Sequence, residues 1–533
     1  MLARLLIAAL AGCALTFSFA PFYFYPLAFF SVGVLAYLWM LETPKEAFWS
    51  GWAYGIGFFG SSTYWVYISI HYFGNAPVVI ALIVTILFVL FLAFLFFALL
   101  GVFTSYLIHH NHLRAMLNRS CATKNAGSIR KRRWIPRLCR GTTAEGNLHG
   151  YSIPSLFIFP ACWVLGEFWR TYILTGFPWA LLGYSQMHSP LRSLAPIIGV
   201  YGISYITALI ASILIVLGSH ATSFAKKNVG IALMIIIFVA AFSFQGVQWT
   251  RASGPSINVS LIQGNIDQNH KWDLEYLIKI LETYKNLSAS QWTSKLIVWP
   301  EAAVPTFPEE VPKFIAFLNE NAKANHSNLL FGVPFQNTLT KQYYNGMMMV
   351  GENQGVYEKV HLVPFGEYLP LKFLFAWFYH YFQVPMSSAS AGPRYQEPLK
   401  MDGFKIAPFI CYEIIYPWRV LRDTIGRQLI ISISDDSWFG NSIALDQHQQ
   451  MAQMRALETG RYLLLGANTG ITAIIDPRGR VIKKAPQDQE YVLAGEILPM
   501  SGKTPLMFWQ YYPILLLALF SILASLIRVR LKM

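Results

Sequence analysis

Carboxylates are scarce in the first half of this 533-residue chain, where only Glu42, Glu46, Glu145 and Glu167 precede position 255 out of 27 acidic residues in all. Charged residues amount to 13% against 55% hydrophobic, which excludes an ordinary soluble domain and places part of the chain in lipid. The length also exceeds what one hydrophobic core usually serves. Cysteine is equally sparse: Cys13 and Cys162 lie in apolar runs, Cys121 and Cys139 in a basic stretch, and Cys411 stands alone in the acidic half. That distribution excludes a disulfide framework. The spacing of Cys121 and Cys139 from His109, His110 and His112 matches no standard ligand pattern, so neither a metal site nor a cofactor is expected.

The net charge of +14 is concentrated. Residues 109–150 hold nine Lys or Arg and one Glu, centred on Arg130-Lys131-Arg132-Arg133. No aromatic interleaving accompanies these charges, which argues against a nucleic-acid partner and for attraction to anionic headgroups, worth roughly 1 kcal/mol per basic residue.

Apolar runs at about 3–20, 25–41, 49–70, 77–108, 153–174, 196–217, 229–247 and 507–527 approach or exceed the roughly 20 residues of a membrane helix. Eight spans are expected, the third being the weakest because it is rich in Gly, Ser, Trp and Tyr. No small-x-small cleavage site follows the first run before Pro21, so it is read as retained. With eight spans, Arg4, Lys45, residues 109–150, Lys226-Lys227 and the tail Arg528, Arg530 and Lys532 all fall on one side. The positive-inside rule then makes both termini cytoplasmic and turns the acidic segment outward. The expected organisation is transmembrane helices over 1–250 with a basic cytoplasmic insertion at 109–150, a catalytic domain over 256–497, and a last helix at 507–527. Glu167 and Arg170 are the only obvious intramembrane pair, which weakens a transporter reading.

The acidic half carries chemistry. Phe409-Ile410-Cys411-Tyr412-Glu413 places a thiol where an apolar strand ends. Leu296-Ile297-Val298-Trp299-Pro300-Glu301 ends a second apolar strand in a carboxylate, and Tyr357-Glu358-Lys359-Val360-His361-Leu362 supplies a lysine ahead of Pro364-Phe365-Gly366-Glu367. Acyl transfer through sulfur needs a nucleophile, a proton carrier and positive charge at the developing oxyanion. Cys411, Glu301 and Lys359 provide one of each. A carboxylate at the end of an apolar strand is poorly solvated, so Glu301 is expected to have a raised pKa. Lys359 and the Tyr412 backbone N–H are expected to stabilise the oxyanion, with Lys359 also holding Cys411 as thiolate.

These motifs resemble the Glu-Lys-Cys triad of the nitrilase (carbon–nitrogen hydrolase) superfamily. The likeness covers about 256–497 and extends to Gly466-Ala467-Asn468-Thr469-Gly470 and Asp476-Pro477-Arg478-Gly479. Val363-Pro364-Phe365-Gly366-Glu367-Tyr368-Leu369-Pro370 and Ser434-Asp435-Asp436-Ser437-Trp438-Phe439-Gly440, together with the membrane segments, resemble the apolipoprotein N-acyltransferase branch.

The resemblance implies an α-β-β-α sandwich joined to a multi-span α-helical membrane domain in a bacterial inner membrane, with the catalytic domain periplasmic. It implies transfer of a fatty acyl chain from a phospholipid, through a Cys411 thioester, to the amine of a diacylglyceryl-cysteine apolipoprotein. The protein is read as a monomer, with no cofactor. A membrane-tethered amidase using the same residues with water is the alternative. Glu367 and Glu413 are expected to support the triad by orienting Lys359. Trp299, Trp438 and Phe439 are expected to contact substrate, and the aromatic stretch 371–395 is expected either to form a mobile loop over the pocket that dips into the membrane interface or to pack against the membrane helices. His448, Arg455, Glu458 and Arg461 are expected to form a structural ion-pair network.

Overall fold

The computed structural model describes residues 1–109, 155–220, 222–368 and 389–527, and its contacts divide the chain into two compact units. The basic insertion from 110 onward, the aromatic residues 371–388 and the C-terminal basic tail lie outside the described residues.

One unit takes in residues 64–85 and 247–510 and contains, besides the short strand β1 (Arg251–Ala252), two six-stranded sheets. The first runs in the order β13 (Tyr491–Ile497), β2 (Ile257–Gln263), β3 (Leu296–Val298), β4 (Asn328–Gln336), β5 (Tyr343–Gly351), β6 (Gly355–Glu358). The second is ordered β12 (Val481–Lys484), β11 (Ala473–Ile475), β10 (Tyr462–Ala467), β9 (Leu429–Ser434), β8 (Phe404–Ile410), β7 (Leu399–Met401). Each sheet has three parallel central strands, β2-β3-β4 and β8-β9-β10, flanked by antiparallel ones.

Strand side chains alternate between faces. Val259, Leu261, Leu296, Val298 and Leu330 point inward to meet Ile406, Ile410, Leu429, Ile431 and Leu464 of the facing sheet in one core. Their neighbours Ile262, Ile297, Trp299, Leu329 and Phe331 point outward to a second core. The helix Leu274–Ser288, started by Asp273 accepting from the Glu275 N–H, covers that face with Leu277, Ile280, Leu281 and Tyr284 at helical spacing. Pro312–Ala324 adds Leu318 beside it. Helices Pro417–Thr424 and Ala444–Thr459 cover the second sheet, completing an α-β-β-α sandwich.

The other unit is helical. Among the described residues three helices are long and apolar enough to cross a membrane: Val78–His109, which belongs to this unit from Ile86 onward, Pro190–Gly218 and Phe224–Ser243. Leu2–Thr16, Pro26–Leu41 and Tyr512–Leu526 are shorter apolar helices. Leu2–Thr16 packs tightly on Pro44–Ser62 because Gly57 bears no side chain: a Cβ there would meet the Ala9 carbonyl oxygen at 2.0 Å.

The third apolar run is not one helix. Pro44 at the first position and the Thr43–Glu46 capping box start it earlier than expected, and it ends at Ser62. Ser61, Ser62 and Thr63 each turn their hydroxyl back onto a carbonyl four residues earlier, and Thr63 leaves helical geometry. Residues 64–73 then belong to the sandwich unit. Glu167 and Arg170 are both buried: Glu167 Oε1 accepts from Trp163 Nε1 at 3.0 Å and Leu182 N at 2.6 Å, and the Arg170 guanidinium lies 5.5 Å from the Phe59 ring centre.

Candidate active site

Glu301 is set by a short strand and a glycine. Trp299 N donates to the Leu330 carbonyl at 2.8 Å, and Gly332 N donates to the Pro300 carbonyl at 3.1 Å. The turn through Glu301 therefore lies flat on β4, with Ala302 at φ +48°. Only glycine permits this approach at 332, because a Cβ there would stand 2.6 Å from Glu301 Cα.

Lys359 follows β6 and is 1% exposed. Its Nζ lies 3.4 Å from Glu301 Oε1 and 2.9 Å from Glu367 Oε1. Asn345, on β5, donates its Nδ2 to the same two oxygens at 2.7 and 2.8 Å. One ammonium and one amide thus bridge two carboxylates, and the remaining Glu367 oxygen accepts from Val363 N at 2.8 Å. Burial works against the ammonium, but Glu301 and Glu367 outweigh it and raise the Lys359 pKa, so the lysine stays charged. Burial raises the Glu301 pKa, with Lys359 opposing and Glu367 reinforcing.

Cys411 ends β8 at φ +50°, in the left-handed region that a β-carbon disfavours. Glu413 holds this turn. Its carboxylate, fully buried, accepts from Ile410 N at 3.0 Å, Val360 N and His361 N at 2.9 Å each, and the Tyr357 hydroxyl at 2.7 Å. Arg419 Nη2 stands 3.2 Å away. Burial opposes the charge, yet Arg419 and these donors hold the Glu413 pKa below its ordinary value. Glu413 does not touch the Lys359 side chain; it ties the backbone just after Lys359 to the backbone just before Cys411.

The surroundings of the thiol oppose the expected thiolate. Burial first and Glu301 second push the Cys411 pKa well up, and Lys359 offsets only part of this, because its charge is already shared between two carboxylates. The balance favours the thiol over the thiolate expected from Lys359. Tyr412 is half-buried, its ring 5.3 Å from that of Tyr416 and 6.1 Å from His361.

Two further expectations are corrected. Trp299 contacts no open space: it is fully buried in the outer core, stacked 5.1 Å from Tyr284, with Nε1 donating to Ser288 Oγ at 2.9 Å. It follows Val298 along the strand and so faces the opposite layer from the site. Secondly, the ion-pair network divides. Arg455 pairs with Glu458 at 2.8 Å, but Arg461 donates to the carbonyls of Arg427 and Gly502 at 2.7 Å each, and His448 Nδ1 faces Asp436 Oδ1 at 3.4 Å. Trp438 and Phe439 are half-buried: the Trp438 carbonyl accepts from Ser69 Oγ at 2.6 Å, and Phe439 meets Trp65 edge-on at 4.9 Å.

The sequence reading missed Asn345, Lys271 and Gly332. Asn345 had a signal, as a lone amide within a strand just ahead of Met347-Met348-Met349; Lys271 and Gly332 acquire meaning only through partners distant in sequence. Among the described residues, no cluster of His, Cys, Asp and Glu is arranged to hold a metal ion.

The chain matches the apolipoprotein N-acyltransferase N-terminal domain over residues 11–213 and the carbon-nitrogen hydrolase family over 258–502. It is 41% identical over 508 residues to the apolipoprotein N-acyltransferase of Coxiella burnetii, covering 95% of this chain and 96% of that one. The chain belongs to the apolipoprotein N-acyltransferase family. The Pseudomonas aeruginosa LESB58 relative of the same name is 37% identical over 513 residues, covering 96% of this chain and 93% of that protein. A solved carbon-nitrogen hydrolase from Helicobacter pylori G27 aligns at TM-score 0.36 and 15% identity, covering 48% of this chain and 94% of that one.

Proposed function

We propose that this family member transfers a fatty acyl chain from a membrane phospholipid to the N-terminal amine of a diacylglyceryl-cysteine apolipoprotein, by a ping-pong route through Cys411. The reading is supported by family membership together with one geometric observation. A buried lysine ammonium lies 3.4 Å from the Glu301 carboxylate, and both act electrostatically on a cysteine at a strained strand end.

Three of the four lone-pair positions on the Glu301 carboxylate are taken: Asn345 and Lys359 donate to Oε1, and Asp435 N donates to Oε2 at 2.9 Å. The fourth, on Oε2, takes the Cys411 proton as sulfur attacks the phospholipid ester carbonyl. The oxyanion gains the Lys359 ammonium and the Tyr412 N–H. Collapse of the tetrahedral adduct breaks the ester C–O bond, and Glu301 returns the proton to the departing lysophospholipid oxygen. In the second half the lipoprotein amine attacks the thioester, Glu301 accepts the amine proton, and the Cys411 thiolate leaves and is reprotonated.

The helices over 1–250 and 507–527 would hold the 256–497 catalytic domain at the outer face of a bacterial inner membrane, with both termini cytoplasmic. Trp438 and Phe439 remain proposed substrate contacts, and a monomer suffices for this chemistry. Membrane-tethered amidase activity is not favoured, since the curated relatives are named for acyl transfer.

Intact mass measurement after incubation with phospholipid tests this. A fatty-acyl increment in wild type, absent from Cys411→Ala and discharged by a diacylglyceryl lipopeptide amine, is expected. An increment in the alanine variant, or discharge only to water, overturns the reading.

A further inference from the structure

Lys271 is 1% exposed, yet the acyl-transfer route above makes no use of it. It lies on the loop between β2 and the helix Leu274–Ser288. Its Nζ donates to the Glu301 main-chain carbonyl at 2.9 Å and to Asp435 Oδ2 at 2.5 Å. Asp435, at the end of β9, returns a contact to the same glutamate: its backbone N–H donates to Glu301 Oε2 at 2.9 Å. The other Asp435 oxygen accepts from Ser437 Oγ at 2.6 Å and Asn468 Nδ2 at 3.3 Å, so the aspartate itself is fixed.

Glu301 is therefore gripped at its backbone and at its carboxylate by two residues that are bonded to each other across 164 positions. A buried ion pair adds little stability once desolvation is counted, so its presence calls for another reason. We propose that Lys271 and Asp435 are a positioning pair that sets both the aim and the proton affinity of Glu301. This rests on the reading of Glu301 as the base.

The electrostatics give the pair a signature. Lys359 and Glu367 face Glu301 from the segment after β6, and Tyr343 faces it from β5. Cys411 acts on it from the end of β8, and His448 from the helix Ala444–Thr459. None of these changes when the pair is altered. Asp435 works to raise the Glu301 pKa, and Lys271 is close enough to cancel that charge. Removing the lysine alone leaves an unpaired carboxylate beside Glu301; neutralising Asp435 alone leaves an unpaired ammonium. The two changes move Glu301 in opposite directions, which packing damage does not do.

The test uses the full chain in micelles containing phosphatidylethanolamine, with single-turnover thioester formation followed by intact mass as a function of pH. In Lys271→Met the acid limb of the rate should move up by about one pH unit, and in Asp435→Asn it should move down by a similar amount. The double variant should recover the wild-type limb with a plateau rate reduced about 10- to 100-fold, because the Lys271 hold on the Glu301 carbonyl and the side-chain tie that fixes Asp435 are lost while the local charge balance is restored. Limbs that stay in place or move together in the single variants overturn the proposal. Should the single variants not fold, a double variant whose limb is displaced, or whose plateau equals wild type, overturns it as well. A wild type that forms no thioester refutes the acyl-transfer reading itself, a result distinct from any of these.

Discussion

Gly332→Ala reaches the proposed base without altering a single polar side chain. A methyl at 332 would lie 2.5 Å from Ala302 N and 2.6 Å from both Glu301 Cα and the Pro300 carbonyl oxygen. Non-bonded contacts of this kind settle near about 3.5 Å, so something must yield by about 1 Å. β4 cannot, because it is paired with β3 on one side and along nine residues of β5 on the other. The turn through Pro300 and Glu301 belongs to no ladder: two bonds to Gly332, at 3.1 and 3.2 Å, and one from Lys271 Nζ to the Glu301 carbonyl, at 2.9 Å, hold its backbone, so it moves and carries the carboxylate with it. A displacement of that size costs roughly 10²-fold in rate, and the overpacking about 1–3 kcal/mol of stability. The assay is thioester formation by intact mass alongside thermal unfolding, with iodoacetamide labelling to show that Cys411 is still in place. Gly466→Ala is the control: its nearest neighbour would be Val298 Cγ1 at 3.5 Å, ordinary contact in the same core, and it should behave as wild type. A Gly332→Ala enzyme within about threefold of wild type, or one no slower than Gly466→Ala, would refute the claim that this glycine places Glu301.

Lys359→Met should lower thioester formation by about 10²–10³-fold through loss of oxyanion stabilisation, read in the same single-turnover assay. Since burial raises the Glu301 pKa, the acid limb of wild-type activity should fall above the ordinary carboxylate value of about 4.3, and a pH–rate profile checks it. Glu413→Gln should cost about 3–5 kcal/mol in denaturant unfolding, because it removes the buried charge that faces Arg419 and leaves two or more buried donors without their acceptor. The Glu413 pKa is lowered on folding, so its contribution is full above the unfolded carboxylate value and is lost as pH falls through the lowered folded value; melts at decreasing pH should show this loss in wild type and not in Glu413→Gln. His448 runs the other way. Burial disfavours its charge, but Asp436 and the Cys411 carbonyl raise its pKa, so its contribution is complete below about 6.5 and disappears as pH rises through the folded value, a slope that His448→Gln should flatten.

The parts of the site that ended apolar strands were legible in the sequence, because an abrupt polar residue after a run such as Ile297-Val298 or Phe409-Ile410 marks where a buried sheet stops. Their mutual approach was carried by the resemblance and not by spacing, since the segments bearing Glu301, Lys359 and Cys411 lie on two different sheets. What failed did so for identifiable reasons. Both faces of β3 are buried, so hydrophobicity alone does not say which face looks toward the other sheet; alternation assigns Trp299 and Val298 to opposite layers but not which layer holds the chemistry. Lys359 was read as a single cation acting on sulfur, whereas Asn345 and Glu367, invisible as partners in a linear reading, divide its charge between two carboxylates. The same division explains why a high-pKa thiol suits this site. A resting thiolate is prone to oxidation, while under the proposed mechanism a thiol whose proton passes to Glu301 only as an ester arrives becomes nucleophilic at the moment of attack. Catalytic power then depends less on the sulfur than on how firmly Glu301 is aimed, and the residues that aim it are those a linear reading has the least means to find.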